Sequence, residues 1–190
     1  MKVIQIRGSN GAGKTTIARE VVKRNNLEIK SVNVNGRETF ISTNKDGSIV
    51  VLGRYDKKTG GCDLYANTEH VLSTIMWAII NLKPKLIIFE GMIYSLSYKF
   101  ASNVSNLVKK YNYKYVALSL YTDPEVVLER IYKRNGGKNI NEQLVLDKIK
   151  FVSNSHLKLV SNGYNSKMID TTNIKLEDMY KVIEGEINEE

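Results

Sequence analysis

Little in this sequence can crosslink, ligate or kink. Its 190 residues include one cysteine, two histidines, two prolines and one tryptophan. A lone cysteine, Cys62, forms no internal disulfide. With no Cys/His cluster at metal-ligand spacing, neither a disulfide scaffold nor a structural zinc site is available. His70 and His156 stand alone and read as surface or helix-packing residues. The longest apolar stretch, Leu86-Ile87-Ile88-Phe89, falls far short of the roughly 18–20 residues of a bilayer span, and no cleavable apolar leader follows Met1. The expectation is a soluble, cytoplasmic chain with no membrane partner. Internal repeats, low-complexity tracts and linkers are missing too, so 21.6 kDa reads as one compact domain over residues 1–190. Hydrophobic residues make 42% and charged residues 25%, enough for an ordinary core and against a disordered polyelectrolyte.

Charge is unevenly spread. The chain carries a net +8, yet residues 176–190 hold six acids and one lysine. The preceding 175 residues therefore carry 27 bases and 14 acids, or +13. Such a body raises the local concentration of a polyanion, nucleotide or nucleic acid. The competing reading is a lysine-rich, solvated surface.

Val3-Ile4-Gln5-Ile6 is a short apolar run ending at Gly8, and residues 13–23 have helical spacing through Ile17, Val21 and Val22. Residues 37–54 read as a hairpin turning at Asn44-Lys45-Asp46-Gly47. A polar loop spans 55–63. Thr68 is placed to N-cap a helix through about Leu82, with Pro84 just beyond it. Leu86–Glu90 is a second buried strand, 97–111 a helix, Tyr115–Leu120 a third strand, and Asp123-Pro124 opens a helix through about Arg134. Residues 141–161 look helical, 166–170 extended and 176–187 helical. Strands alternating with helices imply a mostly parallel sheet covered on both faces.

Gly8-Ser9-Asn10-Gly11-Ala12-Gly13-Lys14-Thr15, followed by Thr16, matches GxxxxGK[ST] between a predicted strand and a predicted helix, the context this motif requires. A phosphate chain needs many backbone N–H donors aimed inward, and glycines let the backbone curl without Cβ clashes. The helix adds its positive N-terminal end. Lys14 is assigned to the β/γ-phosphates, and the Thr15 hydroxyl to the Mg²⁺ that bridges them, with ATP or GTP as ligand. An ABC-type ATPase would need a Leu-Ser-Gly-Gly-Gln-like signature, which Val160-Ser161-Asn162-Gly163 imitates poorly. A GTP-binding switch would need a late Asn-Lys-x-Asp, whereas Asn44-Lys45-Asp46 is early and misspaced.

What remains resembles the small P-loop kinases of nucleosides and nucleotides, over most of the chain. That resemblance implies a three-layer α/β/α sandwich with a mostly parallel five-stranded sheet, a hairpin insertion at about 37–54 after the first helix, and a lid at about 130–141. Leu86-Ile87-Ile88-Phe89-Glu90-Gly91 looks like the second buried strand of that family, with Glu90 facing the phosphate loop and holding Mg²⁺ through water. Tyr121 to Arg130 is similar to the strand-to-lid segment, with Arg130 and Arg134 one helical turn apart and at least one of them neutralising the transferred phosphoryl group. Met168-Ile169-Asp170-Thr171 resembles the last strand and the loop flanking the adenine of ATP.

The acceptor is expected at residues 53–63, between hairpin and helix. An attacking hydroxyl loses its proton, so a carboxylate within reach is wanted: Asp63 first, then Glu90 and Asp56. Asp63 could equally cap the helix that follows. Arg54 suits an acceptor phosphate. Leu52-Gly53-Arg54-Tyr55 and Gly60-Gly61-Cys62-Asp63, with the phosphate loop and Phe89-Glu90-Gly91, look like the bacteriophage kinases of thymidine hypermodification. This resemblance implies 5-hydroxymethyluracil in DNA as acceptor, flipped into a pocket where Tyr55, Tyr94 and Tyr98 could stack. A kinase of free nucleosides or nucleoside monophosphates, and a nucleotide-regulated ATPase that binds nucleic acid, are the alternatives.

Overall fold

A computed structural model describes residues 1–57 and 60–188; Lys58 and Thr59 of the expected acceptor loop, and Glu189 and Glu190 of the acidic tail, lie outside the described residues. Among the described residues seven strands form one sheet in the order β2-β3-β4-β5-β1-β6-β7. Its parallel part comprises β4 (Ile49–Leu52), β5 (Leu86–Glu90), β1 (Lys2–Gly8), β6 (Lys114–Tyr121) and β7 (Ser166–Asp170). The antiparallel strands β3 (Arg37–Thr43) and β2 (Glu28–Val34) extend it at one edge.

This corrects the expected count of five strands. The segment 37–54 does form a hairpin, but its second strand also pairs in parallel with β5, Val50 opposite Ile87. Val50, Val51 and Leu52 are buried on both sides, as a strand inside a covered sheet must be. Strand β2 escaped the sequence reading because it is a charged, exposed edge with only weak alternation. The signal that would have found it is Asn35-Gly36, where both residues have positive φ and join β2 to β3 as a two-residue turn.

Alternation along β1 sorts the two faces. Ile4 and Ile6 pack against α1 (Lys14–Arg24) and α7 (Leu176–Asn188). Val3, with Ile87 and Phe89 of β5, faces α2 (Thr68–Asn81), α4 (Tyr98–Lys109) and α6 (Glu142–Ser161). Each fully buried Ile, Leu or Phe contributes about 1.5–3 kcal/mol relative to exposure, so these two layers fix the sheet. α5 (Pro124–Arg134) packs on α6 through Val127, Ile131, Val145 and Ile149. The α5–α6 connection, where the lid was expected, is a largely exposed loop over 135–141.

Two local expectations change. The cap of α2 is Asn67, whose side chain accepts from the His70 N–H at 2.9 Å, while Thr68 is the first helical residue. A five-residue helix, α3 (Met92–Leu96), precedes α4 where a single helix from 97 was expected. His70 stacks on Tyr65, and His156 Nδ1 lies 2.8 Å from the Ser166 hydroxyl, so both pack rather than ligate. Among the described residues no helix is long and apolar enough to cross a membrane.

Candidate active site

The C-terminal ends of β1, β5 and β6 open onto a cavity of about 510 Å³. Its floor is the loop from Gly8 to Thr15. Gly13 caps α1 with φ of 96°, a conformation that an L side chain rarely adopts. The first intrahelical bond of α1 runs from Ile17 N–H to Gly13 O at 3.0 Å. The amides of Lys14, Thr15 and Thr16 therefore have no helical partner and, with the helix dipole, form an anion seat. Buried Lys14 folds back to donate to Ser9 O at 2.8 Å. Burial lowers its pKa, and Glu90 and Asp63 oppose that by favouring the charged form.

Glu90, the last residue of β5, faces this seat. The Thr15 hydroxyl donates to Glu90 Oε1 at 3.1 Å, while the buried Oε2 has no partner among the described residues. Burial raises the Glu90 pKa to about 7 against the pull of Lys14, with Asp63 adding to the rise. A hydroxyl beside a buried carboxylate with an unsatisfied oxygen fits a hard divalent cation held partly by phosphate. Gly61 presses on the same carboxylate: a Cβ there would lie 2.3 Å from Glu90 Oε1, and its φ of +68° independently favours glycine.

Asp63 lines the cavity from a short 3-10 turn, Gly61–Leu64. It does not cap α2. Its Oδ1 instead accepts from the Met92 N–H at 2.9 Å, which fastens the 53–63 loop to the start of α3, two residues past Glu90. Arg19 of α1 secures the other side of that loop, donating to Tyr55 O at 3.3 Å and Lys57 O at 2.5 Å. Arg19 was missed in the sequence because on an amphipathic helix it reads as a solvated charge.

Four candidates are not brought together with these residues. Arg54 and Asp56 pair with each other, the guanidinium lying 4.8 Å over the Phe40 ring, and neither lines the cavity. Tyr55 is buried and donates its hydroxyl to Leu52 O at 3.2 Å, so it packs beneath the loop rather than stacking on a base. Tyr94 is also buried, its ring 5.0 Å from that of Phe100. Within the loop, Gly53 packs against the Gly61 backbone and Gly60 against Arg54 O, so closely that a Cβ at either would clash.

Arg130 and Arg134 both line the cavity but differ in state. Arg130 is spent on backbone, donating to Gly11 O at 3.3 Å and to Thr171 O and Thr172 O at 3.1 Å. Arg134 is exposed and, with Lys148 on the inward side of α6, is among the like charges acting on Lys14. At the far end Thr171, Ile174, Leu176 and Met179 form a more apolar wall beside the loop. Thr171 was expected here from the resemblance of Met168–Thr171 to the adenine-flanking loop, whereas Ile174, Leu176 and Met179, like Lys148, gave little sequence signal because they lie far along the chain from the motif.

A family model described as 5-hmdU DNA kinase matches residues 2–181. The chain belongs to that family. The kinase is 29% identical to "5-hmdU DNA kinase" of Pseudomonas phage M6 over 97% of its own length and 99% of the relative. It is 31% identical to "5-hmdU DNA kinase 1" of Salmonella phage ViI, over 75% of its length and 64% of that relative. Among solved structures, the Bacillus subtilis YorR protein in complex with phosphorylated GDP shares its fold, with a TM-score of 0.60 at 14% identity over 98% and 95% of the two chains. The protein is thus a P-loop kinase, and a kinase of this fold takes its phosphoryl group from a nucleotide.

Proposed function

We propose that this kinase transfers the γ-phosphoryl group of ATP to the hydroxymethyl oxygen of 5-hydroxymethyluracil in DNA. The observation that carries this reading is one cavity lined by the phosphate seat and Asp63, with Glu90 hydrogen-bonded to Thr15 just behind its wall. The family's named substrate supplies the acceptor.

In this reading the triphosphate lies along residues 8–16, with its base toward Thr171, Ile174 and Met179. The acceptor O–H attacks the γ-phosphorus, the bond to the leaving ADP oxygen breaks, and the proton passes to Asp63. Asp63 suits that role because one oxygen is anchored by Met92 and the other carries no hydrogen bond among the described residues. Glu90 and Thr15 would hold Mg²⁺, which when bound offsets the phosphate charge. Lys14 leaves Ser9 O for the phosphates, and Arg134 meets the charge that spreads over the equatorial oxygens. Arg130 holds the loop and the base-side segment in place.

The test offers γ-labelled ATP with 5-hydroxymethyluracil DNA, thymine DNA, and free nucleosides and nucleotides. Label confined to the modified DNA supports the reading. Label in free nucleoside or nucleotide alone, or release only as inorganic phosphate, overturns it.

A further inference from the structure

The charge asymmetry of the sequence becomes a sided surface in the fold. Residues 91–122 contain four lysines and no acid, and residues 148–169 contain four more lysines and no acid. These two stretches build α3, α4, β6, most of α6 and the start of β7. The helices among them share one side of the sheet. The acids of the C-terminal helix α7 lie on the opposite side, with α1.

Where these two acid-free stretches meet, α6 and the α3–α4 junction form a second groove of about 470 Å³. Leu96, Tyr98 and Phe151 wall it, Ser155 lies at its base, and among the described residues Lys158 is the one charged residue lining it. Phe151 is 57% exposed and Leu157 63%, more apolar surface than a helix packed for stability alone presents. The base of the groove is electropositive as well. The Ser155 hydroxyl accepts at 2.6 Å from Arg7, a fully buried guanidinium whose Nε and Nη1 have no partner among the described residues. Arg7 also donates to Ser95 O at 2.7 Å.

We infer that this groove docks the DNA strand beside the reacting nucleotide, one unstacked base lying against Phe151 and Tyr98 with its phosphate at Lys158. Charge complementarity selects the occupant: aromatic walls, a basic base and rim, and no acid in the lining. That is the pairing by which single-stranded nucleic acid is held, since every base has a π-face and every nucleotide a phosphate. The position suits it, because α3 alone, five residues or roughly 7.5 Å of helix, separates Glu90-Gly91 from Leu96. The inference rests on DNA being the acceptor.

The test is fluorescence anisotropy of wild-type kinase, Phe151→Ala and Lys158→Ala with a labelled single-stranded oligonucleotide carrying thymine. Stacking and phosphate contact need no hydroxymethyl group, so this measurement stands whether or not phosphoryl transfer to modified DNA is observed. Thermal melting confirms that the exposed substitutions leave the fold intact. Phe151→Ala should weaken binding about ten-fold. Lys158→Ala should lower the slope of log affinity against log salt by about one. Lys181→Ala, on the α7 side, should bind as wild type. Unchanged affinity and slope in both groove variants overturn the inference. So does a wild-type dimer that Phe151→Ala dissociates without changing DNA affinity, which would make the face a self-association surface.

Discussion

Asp63 Oδ1 accepts a hydrogen bond from the backbone N–H of Met92 at 2.9 Å, so the carboxylate nearest the expected acceptor also anchors the helix that follows Glu90. Anchoring and proton acceptance are separable by substitution. Asp63→Asn keeps an oxygen for Met92 but loses basicity. Its melting temperature should stay within about 2 °C of wild type while kcat falls roughly 10²–10⁴-fold. Asp63→Ala should lose the same activity and in addition about 1 kcal/mol of stability, the usual worth of a capping side chain. Differential scanning fluorimetry alongside a transfer assay checks both.

Glu90 is costly to the empty protein. Its pKa of about 7 lies above the ordinary carboxylate value of 4.5, so between those values the folded state holds a proton that the unfolded state has lost. Stability of the metal-free, nucleotide-free protein from this group therefore falls as pH rises from about 4.5 through about 7. The full penalty, on the order of 3 kcal/mol, is reached above it. Glu90→Gln should abolish most transfer yet raise the melting temperature of the empty protein at pH 8. At pH 5, where Glu90 is protonated in the folded state, the gain should shrink. Chemical denaturation at both pH values measures the difference.

Gly61→Ala places a methyl 2.3 Å from Glu90 Oε1 and forces a positive φ on alanine. The strain should cost about 1–3 kcal/mol and displace the carboxylate from Thr15. Mg²⁺-dependent nucleotide affinity, read by calorimetry, should weaken by more than the metal-free affinity.

The two lid arginines should separate in kinetics. Arg134→Ala should lower kcat with ATP affinity and melting temperature nearly unchanged. Arg130→Ala removes three carbonyl contacts that tie Gly11 to Thr171 and Thr172, so it should raise the KM for ATP and lower the melting temperature together. Arg130→Lys, a point charge without the planar fork, should restore little.

The phosphate loop and the buried strands were legible because their signals are local: glycine spacing after an apolar run, and strands apolar on both faces. Glu90 was legible as the acid ending such a strand. Long-range facts were not. That β4 would join the parallel part of the sheet depends on β5, which is more than thirty residues away. That Asp63 would bind Met92 rather than its own following helix depends on a partner 29 residues away in the chain. Arg54 illustrates the converse: an arginine in a loop looks available for phosphate until the fold supplies Asp56 and Phe40.

Helix α6 reaches from the catalytic cavity to the second groove, with Lys148 near one and Lys158 at the other. Ten residues of α-helix measure roughly 15 Å, a span that the unstacked strand flanking the reacting nucleotide would have to cross. A stiff rod of that length works as a molecular ruler. It sets how far along a polynucleotide the gripped position lies from the modified one, and so makes substrate length, rather than flanking sequence, the property by which short DNA fragments would be sorted.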